Sequence, residues 1–128
     1  MPYSIVVSNN PTLEYRATDI CLKSPDNLAV LETVRDYVHL GHHLLTHPFA
    51  GSVKPNENPF RSIVITYQAF GVDYQSVQLV EGCLSVARRM LAERPLRDYS
   101  PSVLCDLASI DKSLCDAGLM SLRLAGHY

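Results

Sequence analysis

The sequence predicts an α/β protein with a small, mostly parallel sheet of about four strands flanked by helices. Three observations carry this. Two short runs rich in β-branched residues, YSIVVS at 3–8 and RSIVITY at 61–67, read as buried strands. Three longer segments repeat apolar residues every three or four positions, as amphipathic helices do. The two kinds of segment alternate along the chain, which is the pattern of strands covered by helices.

The first strand ends at Asn9-Asn10-Pro11, a turn signal. Asn10 followed by Pro11 has the form of a helix cap and first helical residue, so PTLEYRA reads as a helix of two turns. Asp19–Lys23 reads as a second strand. Ser24-Pro25-Asp26 then opens a clear helix. Ser24 is its cap, and Leu28, Leu31, Val34 and Val38 form its apolar face up to a closing Gly41. Leu44–Thr46 is a short further strand. After the RSIVITY strand, Tyr74–Glu93 reads as a long helix with Val77, Val80, Leu84, Ala87 and Leu91 on one side, ended by Pro95. Ser100-Pro101 opens a third helix along Leu107, Ile110, Leu114 and Ala117, which closes at Gly118 or runs on through LMSLRL. This stripe covers a sheet face or makes a homodimer contact.

The chain has 128 residues, 47% of them apolar, which suits one domain with one sizeable core and residues 96–128 as a C-terminal helical extension. The formal charge of −2 argues against nucleic acid as a partner. Cys21, Cys83, Cys105 and Cys115 form no C-x-x-C pair, so reduced thiols and a cytoplasmic location are expected. No signal peptide and no apolar stretch of membrane-spanning length is visible, so no membrane is expected as a partner.

Two regions are candidate sites. The first is Ser8, Asn9 and Asn10, at the carboxyl end of the first strand, where open α/β sheets gather ligands. A helix starting at Pro11 would aim free N–H groups at that crevice. The plainer reading is that the asparagines only turn and cap the chain. The second is the loop LTHPFAGSVKPNENPFR. Pro48, Pro55 and Pro59 stiffen it, and it carries His47, Ser52, Lys54, Asn56 and Arg61. Lys54 can meet an anion and His47 can titrate near neutrality. A structural loop pinned by Phe49 and Phe60 is the plainer reading here. Together these predict a crevice with Ser8–Pro11 as floor and His47–Arg61 as rim, in which Lys54 binds an anionic group and the Asn9 and Asn56 amides orient it. A segment of a partner polypeptide is the alternative occupant. No nucleophile elbow, Walker loop or G-x-G-x-x-G is present, and His39, His42, His43 and His47 lack the spacing of a metal site. No cofactor is expected, and binding is favoured over catalysis, although His47 and Lys54 could serve a minor enzyme.

The loop also carries a resemblance. LLTHPFAGSVKPNENPFRSIVI, with IVVSNNP at the start and VRDYVHLGHHLLTHP leading in, is similar to the GrdX family over roughly residues 4–91. Its shared positions are Asn9, Asn10, Pro11, His47, Pro48, Gly51, Ser52, Lys54, Pro55, Asn56 and Pro59. The region 96–128 carries none of the pattern. These are small proteins linked to the glycine, sarcosine and betaine reductase systems of amino-acid-fermenting anaerobes. The resemblance implies an accessory protein that binds a reductase component or a small anionic molecule. It assigns no role to any of these residues. A sensor of an acyl phosphate, amino acid or nucleotide is the alternative.

Overall fold

The computed structural model describes residues 3–126, apart from the Ser52 side chain. Strands β1 (Ser4–Ser8), β2 (Ile20–Cys21) and β3 (Ser62–Thr66) form one sheet in the order β2-β1-β3. β2 runs parallel to β1, and β3 runs antiparallel to it, with Ser8 opposite Ser62 and Ser4 opposite Thr66. The sheet is therefore mixed and three-stranded, which corrects the expected four, mostly parallel strands. Hydropathy gives a strand's burial but not its direction.

Alternation along the strands divides the molecule into layers. Ile5, Val7, Ile63 and Ile65 face helices α1 (Leu28–His39) and α2 (Tyr74–Glu93), where Val30, Leu31, Val34, Val38, Val80, Leu84 and Ala87 complete the main core. Val6 and Val64 face the other way, against Cys115 and Leu122 of α3 (Pro101–Leu124). The face under α3 is partly polar, since Ser4, Ser8, Ser62 and Thr66 share it. Ser8 and Ser62 meet hydroxyl to hydroxyl at 2.7 Å, and Ser62 donates to the Asp111 carboxylate of α3 at 2.6 Å.

Each helix end has a local cause. Asp73 caps α2 by accepting from the Ser76 amide, and Ser100 caps α3 by accepting from that of Val103. α1 ends where Gly41, at φ 112°, lets the Gly41 and His42 amides reach back to the Val38 and Tyr37 carbonyls. Its start differs from the expected one. Ser24 is not the cap, and the helix begins after Asn27, whose side chain is spent elsewhere. α3 runs past Gly118 to Leu124. Its buried positions, Ala108, Asp111, Cys115 and Leu122, lie round the helix from the expected stripe, and Ile110 stays 47% exposed.

Two expected elements are absent. Residues 11–17 form a turn followed by irregular backbone, because the Asn10 carboxamide oxygen takes both the amide and the hydroxyl of Thr12. Leu44–Thr46 makes only one bridge, Leu44 to Ile65. The Leu45 and Thr46 amides share the Val64 carbonyl, and the Thr46 hydroxyl accepts from the Val64 amide in place of a backbone partner.

β2 is very short, and side chains continue its pairing. Asp19, just before it, accepts from the Val6 amide at 2.9 Å, and Arg16 donates to the Ser4 carbonyl at 3.0 Å. The two residues pair with each other at 3.1 Å. Among the described residues, no helix is long and apolar enough to cross a membrane.

Cys83 and Cys115 are buried, whereas Cys21 and Cys105 are exposed. Burial pushes the Cys115 thiol up to about 12 from its ordinary 9.0, and raises Cys83 as well. Thiol titration of the folded protein is expected to show two rapidly reacting groups and two more on unfolding. Above pH 9 the unfolded chain releases a proton that the folded chain holds at Cys115. Stability from this source is complete below that pH and is lost as pH rises toward 12. The midpoint of urea unfolding should therefore fall between pH 8 and pH 11, and an unchanged midpoint would contradict the assignment.

Candidate functional site

The loop between α1 and β3 is held by buried asparagines, two of which, Asn9 and Asn27, lie outside it. Prolines bring carbonyls but no N–H donors, so a Pro-rich segment turned inward leaves acceptors to be satisfied. The Asn27 carboxamide nitrogen donates to the Pro55 and Asn58 carbonyls, each at 2.8 Å. That of Asn58 donates to Leu107 of α3 at 3.0 Å, and its oxygen accepts from the Phe60 amide. Asn9 contributes most. Its nitrogen donates to the carbonyls of Ser24, Asp26 and Pro59, and its oxygen accepts from the Arg61 amide at 2.9 Å. One side chain thus ties the end of β1 to the start of α1 and the end of the loop. All three asparagines are buried.

These bonds shape a crevice of about 510 Å³ beyond the carboxyl ends of the parallel pair β1 and β2. Asn9 and Pro11 line it after β1, and Cys21, Leu22, Lys23 and Ser24 line it from β2 onward. Tyr15 and the loop residue Phe60 form the walls. The surface offered is mostly apolar, with the Lys23 ammonium as its cationic group. Burial raises the Tyr15 hydroxyl above its ordinary range, and that hydroxyl donates to the Asn10 carbonyl at 2.6 Å. Tyr15 therefore presents a neutral ring. The volume and the apolar lining suit a small organic group or an apolar side chain.

The structure divides the sequence-predicted residues among several places. Ser8 is buried, bonded to Ser62 and to the Asn10 amide. The Asn10 nitrogen donates to the Ala108 carbonyl and to Asp111, and Asn9 reaches the crevice with its amide already engaged. No helix starts at Pro11, so the free N–H groups expected there do not exist as a helix terminus. His47 is exposed, and its Nδ1 accepts from the Phe49 amide. Lys54 is exposed and lies 3.9 Å from Glu57. Asn56 is buried and donates to the Met90 carbonyl at 3.3 Å, at the end of α2. Arg61 is 4% exposed, donates to the Val53 carbonyl and stacks 5.5 Å from the Phe49 ring centre. Burial lowers its pKa. Ser52 has only its backbone described, at the end of a short 3-10 turn. Of the expected rim, the loop brings Phe60 to the crevice, while His47, Lys54, Asn56 and Arg61 are not among its lining residues.

Sequence reasoning missed Cys21, Leu22, Lys23, Tyr15 and Phe60 as lining residues. Only their nearness to the end of a parallel strand pair could have marked them. A second cavity, of about 240 Å³, lies between residues 13–19 and α3, but Arg16, Asp19, Lys112 and Asp116 on its walls already pair with one another. Among the described residues, no three His, Cys, Asp or Glu side chains gather as metal ligands would.

A family model described as GrdX-like protein matches residues 5–120 of the chain. The match runs well beyond residue 91, so most of α3 falls inside the family pattern and is not an addition to it. No curated protein and no solved structure matches the chain.

Proposed function

The chain belongs to the GrdX-like protein family, and on that premise we propose that it is an accessory protein of a glycine, sarcosine or betaine reductase system. It works by holding a segment of a partner component. The observation that supports this reading is the preformed crevice at the ends of β1 and β2. Its floor polar groups are already engaged in bonds that hold the fold, as Asn9 shows. What it offers a visitor is apolar area between Pro11, Leu22 and Phe60, beside one cation, Lys23. Such a surface fits an apolar side chain with a carboxylate near it. Burying one such side chain contributes about 2 kcal/mol, the scale of a transient contact.

The test is binding of the purified reductase components to the immobilised chain. Cys21 is exposed in the crevice, so Cys21→Phe should fill it without disturbing the core. We expect at least tenfold weaker binding for Cys21→Phe, and weaker binding for Lys23→Glu, with melting temperatures close to that of the parent. Components that bind the parent and Cys21→Phe equally would remove the crevice from the interaction. Components that fail to bind the parent would remove the accessory role.

A further inference from the structure

A different cavity, of about 310 Å³, opens where the chain leaves α2 and passes the 54–57 turn of the loop. Arg94 and Arg97 line it. Among the described residues neither makes an ion pair, whereas Arg16, Arg35 and Arg88 each have a carboxylate partner. The one acid on its wall, Glu57, has the Lys54 ammonium 3.9 Å away. The wall thus carries two cations and one acid, and that acid already faces Lys54, on a chain whose overall charge is negative. Two guanidiniums on one wall, with no ion-pair partner among the described residues, leave room for an external anion.

The walls are held in place. The Tyr99 hydroxyl donates to the Glu57 carbonyl at 3.1 Å, and the Asn56 amide donates to the Met90 carbonyl at 3.3 Å. These bonds fasten the segment that carries both arginines to the loop at two points. Pro95 fixes the backbone between the arginines. Tyr99, Pro95 and Leu107 add an apolar side to the cavity.

We propose that this cavity binds a phosphate monoester carrying a small apolar or aromatic body. The phosphate dianion would sit between the Arg94 and Arg97 guanidiniums, which match its oxygens in pairs. The body would lie against Tyr99 and Leu107. A simple carboxylate would neutralise only one of the two free cations and binds less tightly. The site shares no lining residue with the strand-end crevice, so it stands or falls independently of the accessory role.

Calorimetric titration at constant ionic strength tests this, with phenyl phosphate, inorganic phosphate and acetate as probes. Phenyl phosphate is expected to bind saturably, inorganic phosphate several-fold more weakly, and acetate more weakly still. Arg94→Gln and Arg97→Gln are each expected to reduce phenyl phosphate affinity about tenfold, a change that corresponds to about 1.4 kcal/mol. Both residues are exposed, so these variants should fold as the parent does. Arg89, exposed on α2 and not among the lining residues, supplies the control: Arg89→Gln should bind as the parent does. Absence of saturable binding by either phosphate would overturn the proposal. So would parent-like affinity in the Arg94 and Arg97 variants, or an equal loss in Arg89→Gln, which would indicate only general charge attraction.

Discussion

Asn9→Asp is expected to destabilise the protein by about 4 kcal/mol at pH 7, the upper range for a single substitution. The new side chain is isosteric and keeps the bond from the Arg61 amide. It loses the donor that serves the carbonyls of Ser24, Asp26 and Pro59, at 3.2, 3.1 and 2.9 Å, and places a carboxylate against those oxygens. Burial and the facing carbonyls would raise the pKa of such an acid above its unfolded value. The folded variant then binds a proton that the unfolded chain does not, so its deficit should shrink as pH falls through the raised pKa. Asn9→Ala is expected to cost about 3 kcal/mol with no such pH dependence. Urea unfolding of both variants at pH 7 and pH 5 distinguishes them. Equal, pH-independent losses would show that Asn9 acts through packing alone.

Gly51→Ala is expected to cost about 2 kcal/mol, from two sources. Gly51 sits at φ 78°, which L side chains adopt with strain. A Cβ there would also lie 2.5 Å from Leu114 Cδ2, on the helix the loop rests against. The overlap can be separated from the strain by trimming Leu114. The Gly51→Ala/Leu114→Ala double variant should be less destabilised than the sum of the singles, by about 1 kcal/mol. Strict additivity would mean that Leu114 moves aside freely and that the loop does not press on α3 at this point.

The sequence reveals much of the layered fold and less of the site, for reasons that differ by element. α2 is legible because its apolar stripe and the proline that follows it are local signals. The start of α1 is not, because Ser24 and Pro25 mimic a helix opening while Asn27 spends its amide on the Pro55 and Asn58 carbonyls, far along the chain. Residues 11–17 have a helical beginning on paper, but the Asn10 side chain turns them and Leu13 is drawn under α3. The direction of β3 has no local signature at all.

The loop teaches a similar lesson. Its prolines announce rigidity, and the structure does hold it against the end of β1. The holding is done largely by asparagine amides whose partners are carbonyls up to 50 residues away in sequence. A residue such as Asn9 reads as a candidate ligand contact until its donors are counted. Phe60, which does reach the crevice, reads as a structural pin. Polar residues draw functional attention, yet the apolar residue beside the proline forms the wall.

One consequence follows from the Arg16 and Asp19 side chains on the flank of β1. A sheet margin with unsatisfied amides and carbonyls invites a strand from another molecule to add on, and the growth that begins there is hard to reverse. Beyond the two paired residues of β2, a guanidinium and a carboxylate occupy the Ser4 carbonyl and the Val6 amide. They act as a charged gatekeeper on this margin, where an added strand would have to displace both groups.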